Sequence, residues 1–147
     1  MKVLVINGPN LNMLGIRNPK VYGSHTYPEL VAYIEEKAAE LKLDVKIFQS
    51  NSEGDIVTEI QNAYGIFDGI VLNAAAYTHT SVAILDALEA VSIPTVEVHL
   101  SDIAKREDFR HHSFVSMYAF KTIKGLGFEG YARALEALVD YSAADSE

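Results

Sequence analysis

Pro94-Thr95-Val96-Glu97-Val98-His99-Leu100-Ser101 is an apolar run that opens at a proline and closes on a histidine and a serine. Val96 and Val98 are β-branched, the side-chain type that strands favour, and Pro94 sets the start, so residues 95–99 read as a buried strand. Alternate residues of a strand share a face, which puts Glu97 and His99 on the same side. A carboxylate beside an imidazole fixes its tautomer and favours its protonated form, which is how a general acid is prepared. Working outward, apolar runs of the same kind recur at 2–6, 44–49, 69–73 and 119–124. Between them lie helical patterns. Residues 28–42 place Leu30, Ile34, Ala38 and Leu41 on one face and Glu35, Glu36, Lys37 and Glu40 on the other. Residues 53–67 carry Ile56, Ile60 and Tyr64 at a spacing of four, 80–92 form another helix, and 130–142 carry Tyr131, Leu135, Leu138 and Val139. The tail after Ser142 reads as frayed.

Alternating strand and helix units imply a parallel sheet covered by helices on both faces. Strands this apolar belong to a sheet buried on both sides. The expected fold is therefore α/β: a flavodoxin-like three-layer sandwich with a five-stranded parallel sheet in the order 2-1-3-4-5. The chain of 147 residues is expected to be one domain, 1–147, with a proper hydrophobic core. There is no cysteine, which excludes thiolate chemistry and fits a reducing compartment. The formal net charge of −8 argues against a nucleic-acid partner. No apolar run has the length of a membrane span, and the opening strand has no signal-peptide pattern, so the expected location is cytoplasmic with no membrane partner.

In an open α/β sheet, ligands sit beyond the carboxyl ends of the strands. Polar side chains recur there: Asn7, Asn10 and Asn12 after the first strand, Gln49-Ser50-Asn51 after the second, Asn73 after the third, and His99 and Ser101 after the fourth. The long irregular stretch 7–26 marks a functional loop. Within it Gly15 and Gly23 flank Arg17 and Tyr22 as hinges flank a lid. Two readings of that pair stand on spacing alone. A tyrosine beside a guanidinium has a lowered pKa and can serve as a base; equally, Tyr22 packs and Arg17 is solvated. Tyr77-Thr78-His79-Thr80-Ser81 precedes a helix, with Thr78 or Thr80 as its N-cap and His79 in reach of a ligand oxygen.

Three other patterns lack their context. Gly125-Leu126-Gly127-Phe128-Glu129-Gly130 matches G-x-G-x-x-G, but the chain ends before the further βα unit and acidic residue that a dinucleotide site needs, so it reads as tight strand–helix packing. His111-His112 with His79 and His99 have no metal-ligand spacing, so no metal is expected. Ser81 and Ser101 have no nucleophile elbow around them.

These segments together resemble type II 3-dehydroquinate dehydratase over nearly the whole chain and in order. The matching runs are Asn7-Gly8-Pro9-Asn10-Leu11-Asn12 with Gly15, Arg17, Pro19, Tyr22 and Gly23; Gln49-Ser50-Asn51 with Glu53-Gly54; Ala76 to Ser81 with Asp86-Ala87; Glu97 to Ser101 with Arg106-Glu107, Phe109-Arg110 and Ser113; and Gly125-Leu126-Gly127 with Gly130-Tyr131. Ser52, Ala74-Ala75 and Asp102 depart from the family's usual histidine, Pro-Gly and asparagine.

The resemblance implies a lyase that takes water from 3-dehydroquinate to give 3-dehydroshikimate, in the shikimate pathway of aromatic amino-acid biosynthesis or in quinate catabolism. It implies Tyr22 as the base at C2, Arg17 as the cation that keeps it tyrosinate, and Asn10 as the residue that sets a water against the enolate oxygen. It implies His99, oriented by Glu97, as the acid on the departing hydroxyl. Asn73, His79, Leu100, Ser101 and Arg110 are implied substrate ligands, and Asp86 a residue that reaches a neighbouring subunit's site. Arg106 is implied to be structural or a long-range charge. The implied assembly is a homododecamer, a tetramer of trimers. Base, oxyanion stabiliser and acid are all side chains here, so no cofactor is expected. The lysines lie on helix faces, loops and strand positions away from the site, which argues against an imine. The competing class is a flavodoxin-like binding or regulatory module that has kept the pocket.

Overall fold

The computed structural model describes residues 1–16, 20 and 24–145. Five parallel strands, β1 (Lys2–Asn7), β2 (Asp44–Gln49), β3 (Gly69–Asn73), β4 (Thr95–His99) and β5 (Lys121–Lys124), form one sheet in the order β2-β1-β3-β4-β5. Four helices cover it: α1 (Tyr27–Glu40), α2 (Glu53–Asn62), α3 (Val82–Val91) and α4 (Glu129–Asp145). The expected strand order is the one observed.

The alternation of side chains along β1 divides the core in two. Val3 and Val5, with Val71, Val96 and Val98, face α1 and α4 and meet Leu30, Ile34, Leu135 and Leu138. Leu4 and Ile6, with Ile70 and Leu72, face α2 and α3 and meet Ile56, Ile60, Ile84 and Leu88. The interiors of β1, β3 and β4 are buried on both faces, as a sheet between two helical layers requires, while the edge strands β2 and β5 are partly exposed.

The helix boundaries differ from the sequence reading where local chemistry overrides periodicity. α2 stops at Asn62, because Ala63 caps it and Gly65 follows at φ +76°; Tyr64, which continues the spacing of four, is 71% exposed. The N-cap of α3 is Ser81, whose Oγ accepts from Ile84 N at 3.0 Å. Thr78 and Thr80 do not cap it. α4 runs on past Ser142 to Asp145, and β5 begins at Lys121 rather than Ala119.

The loop after β1 leaves the sheet under a tight constraint. Gly8 N donates to Asn73 O at 2.7 Å, and a Cβ on Gly8 would lie 2.6 Å from Ala74 O. Backbone rather than a flexible side chain occupies that space. Gly8→Ala is therefore expected to destabilise the protein by about 1–3 kcal/mol, as overpacking does. Urea unfolding measures it, and a loss of unfolding free energy below a few tenths of a kcal/mol would mean that the β1 and β3 ends are not pressed together in this way.

Candidate active site

A cleft lies beyond the carboxyl ends of β1, β3 and β4. It is lined by Asn10, Asn73, His79, His99, Leu100, Ser101, Arg106 and Arg110, with Pro9, Leu11, Ala75, Ala76 and Ile103. Asn10, Asn73, His79, His99, Leu100, Ser101 and Arg110 are thus brought together as the sequence reading expects. Arg106 belongs to the same wall. Arg17 and Tyr22 lie outside the described residues. Asp86 sits on the exposed side of α3 and, among the described residues, is not part of the cleft lining.

Strand periodicity carries Glu97 and His99 to the same side of β4, and the carboxylate grips the imidazole: Glu97 Oε2 is 2.5 Å from His99 Nε2. Glu97 is fully enclosed and His99 is 5% exposed. A buried carboxylate must have its lone pairs filled, and here hydroxyls fill them. Thr78 Oγ1 lies 2.7 Å and Ser113 Oγ 2.6 Å from Oε2, and Thr122 Oγ1 donates to Oε1 at 3.1 Å. Thr122 is the register neighbour of Glu97 across the β4–β5 pair, which is why its hydroxyl arrives there. Thr78 and Ser113 come from loops far apart in sequence and touch each other at 2.6 Å.

Burial pushes the Glu97 carboxyl upward, and the bonds from His99, Ser113 and Thr78 outweigh it, so the group stays below the usual carboxylate range. A group with a depressed native pKa adds stability above its unfolded pKa and loses it as pH falls through the native value. The stability difference between wild type and Glu97→Gln should therefore be constant from neutrality down to the ordinary carboxylate range, and shrink only in more acid solution. Urea titrations across pH measure this. A difference that disappears as pH rises towards 7 would mean that Glu97 is protonated in the native state.

The Glu97 bond uses Nε2 of His99 and leaves Nδ1 for the cleft. The end of β4 is itself pinned from behind. Gly125 N donates to His99 O at 3.3 Å and Gly127 N to Leu100 O at 3.1 Å. Both glycines have left-handed φ, +81° and +59°, the conformation this turn needs. A Cβ at Gly130 would come into ordinary contact with Val98 and Ile123, so the start of α4 lies against β4 and β5 there. The G-x-G-x-x-G run is thus strand–helix packing, as its sequence context indicates, and it also fixes the backbone under His99.

His79 is held differently. Its Nδ1 faces the carbonyl oxygen of His112 at 2.8 Å, so Nδ1 carries the proton. Burial lowers its pKa, which keeps the ring neutral and leaves Nε2 as an acceptor. Arg110 lies against Glu107, Nε to Oε2 2.6 Å, and over the Phe109 ring at 4.9 Å. The other amides at this edge divide in two. Asn10 and Asn73 line the cleft, while Gln49 and Asn51 tie the loop down: Gln49 Nε2 donates to Gly8 O at 3.2 Å, and Asn51 Oδ1 accepts from Asn10 N at 3.0 Å. Asn73 Oδ1 accepts from Ala75 N at 3.1 Å, and its Nδ2 donates to Tyr131 OH at 2.9 Å. The sequence reading missed Thr78, Ser113, Thr122 and Tyr131 as parts of this site.

A protonatable imidazole locked to a buried carboxylate, a neutral imidazole acceptor, two amides and two guanidinium groups can hold an oxygen-rich anion and protonate a leaving hydroxyl. The family model described as dehydroquinase class II matches residues 1–139. The 3-dehydroquinate dehydratase of Synechocystis sp. is 56% identical over 140 residues, which are 95% of this chain and 92% of that protein. The 3-dehydroquinate dehydratase of Clostridium perfringens is 52% identical over 142 residues, 96% of this chain and 97% of that protein. The crystal structure of the type II dehydroquinase from Butyrivibrio crossotus superposes with a TM-score of 0.93 at 48% identity, covering 95% of this chain and 97% of that one.

Proposed function

The chain belongs to the class II dehydroquinase family, and on that premise we propose that it is a lyase which dehydrates 3-dehydroquinate to 3-dehydroshikimate through an enolate, in the shikimate pathway. A base removes a proton from C2, and the C–H electron pair becomes the enolate of the C3 ketone. The enolate then expels the hydroxyl at C1, which leaves as water once an acid protonates it. His99 is that acid, delivering a proton from Nδ1 while Glu97 holds Nε2. The observation that carries this assignment is the bond between His99 and Glu97, a carboxylate gripped by side chains from three other segments.

The remaining roles follow the same chemistry. Tyr22, with Arg17 beside it, is the base. Asn10 holds a water against the enolate oxygen. Asn73, His79, Leu100, Ser101 and Arg110 take the substrate's hydroxyls and carboxylate; the acceptor Nε2 of His79 suits a hydroxyl, and Arg110 suits the carboxylate. Residues 1–147 act as one dehydratase domain in a cytoplasmic homododecamer, a tetramer of trimers in which Asp86 completes a neighbour's site. Its exposed position on α3 supports that use. No helix among the described residues is long and apolar enough to cross a membrane.

The test is turnover with substrate in large excess over protein. The expected result is many equivalents of 3-dehydroshikimate per chain. Binding of 3-dehydroquinate without product would instead make the chain a binding module built on an enzyme's pocket.

A further inference from the structure

Tyr131 has the spacing of a core residue on α4, and it is wholly buried. Its hydroxyl nevertheless sits in a buried chain of amides. Asn7 and Asn73 end adjacent strands and are register partners in the β1–β3 pair, so one group behind the sheet can touch both. Tyr131 OH donates to Asn7 Oδ1 at 2.7 Å and accepts from Asn73 Nδ2 at 2.9 Å. Burial also raises its pKa, so the hydroxyl keeps its proton.

The direction of this chain is not arbitrary. Ala75 N–H can only donate, and it donates to Asn73, so that side of the amide must be Oδ1. Nδ2 must then face Tyr131, whose oxygen accepts. The single Tyr131 proton is left for Asn7 Oδ1, and Asn7 Nδ2 ends the chain on Tyr27 OH at 3.3 Å. A flipped Asn73 amide would oppose two N–H groups at Ala75. Only one N–H of Asn73 and one lone pair of its Oδ1 remain for the cleft.

We propose that Tyr131 is a positioning residue: through its hydroxyl it locks the amide of Asn73, so that the cleft offers a substrate hydroxyl one donor and one acceptor at fixed places. This rests on the dehydratase reading of the cleft, and it assigns the recognition of a ring hydroxyl to a helix residue that never touches the substrate. A lock of this kind acts alike on ground state and transition state, so its loss appears in KM rather than in kcat.

The test uses the full chain. Tyr131→Phe keeps the ring and removes the hydroxyl. KM for 3-dehydroquinate should rise about tenfold, the scale of one recognition hydrogen bond, with kcat nearly unchanged. The same change in Asn73→Ala protein should not raise KM further. Asn7→Ala, which leaves the Tyr131 proton without its acceptor, should raise KM in the same Asn73-dependent way. In the free protein, the Asn73 side-chain amide protons, followed by NMR, should exchange slowly in wild type and rapidly in Tyr131→Phe. An unchanged KM, or a rise of equal size with and without Asn73, overturns the proposal. If wild type binds but does not turn over 3-dehydroquinate, the dehydratase reading fails, and the amide exchange decides the positioning by itself: slow in wild type and fast in the variant supports it, equal rates reject it.

Discussion

Replacing His99 with alanine should abolish measurable dehydration, a loss on the order of a thousandfold or more in kcat, which is what removal of a well-placed general acid costs. The C1 hydroxyl is a poor leaving group, and among the described residues lining the cleft there is no aspartic or glutamic acid to protonate it. Glu97 is enclosed behind His99 and His79 is neutral, with its one proton on the His112 carbonyl. The substitution also strips a buried carboxylate of a main partner, so some loss of stability accompanies it. The double variant His99→Ala/Glu97→Gln separates the two effects. Without the buried charge it should recover part of the stability and none of the rate. Recovery of turnover in the double variant, or near-normal turnover in His99→Ala, would remove His99 from the chemistry.

Tyr22→Phe should lower kcat by a factor on the order of 100 or more while substrate still binds. The reaction needs a base for a carbon acid, and among the described residues of the cleft His79 offers Nε2 as a neutral nitrogen acceptor. A neutral imidazole of lowered pKa is a weaker base than a tyrosinate, the role proposed for Tyr22. His79→Gln supplies the control. It keeps a hydrogen-bonding amide in place and should affect KM more than kcat. If the pattern were reversed, with Tyr22→Phe harmless and His79→Gln inactive, His79 would be the base.

The sheet was legible because the central strands β1 and β3 are apolar on both faces, and a run such as Val3-Leu4-Val5-Ile6 has no place except between two helical layers. The pairing of Glu97 with His99 was legible for a related reason: a period of two is enough to bring them together. What holds Glu97 was not. Thr78 reads as a helix cap, and only the tertiary fold turns its hydroxyl to the carboxylate and leaves the cap to Ser81. Ser113 meets Thr78 across 35 positions of chain, a distance on which periodicity is silent. Tyr131 is the sharpest case. Its spacing from Leu135 and Leu138 is that of an apolar stripe, and its packing bears that out, but its hydroxyl gains a role only through the register that sets Asn7 beside Asn73. Tyr64 fails in the opposite sense. It keeps the helical period after the helix has ended at Ala63, so it points to solvent.

Ala75, which stands where the family resemblance puts glycine, takes a left-handed φ of +52° at some local expense. The bond from its N–H to Asn73 Oδ1 is set by the backbone before it and does not depend on that φ.

Dehydration of 3-dehydroquinate is expected to run through an enolate on side chains alone. Its most direct measurement is incubation of the purified chain with 3-dehydroquinate and borohydride, followed by product analysis and intact mass. The predicted result is continued formation of 3-dehydroshikimate with the mass of the protein unchanged; loss of activity with a substrate-sized mass gain on a lysine would contradict it.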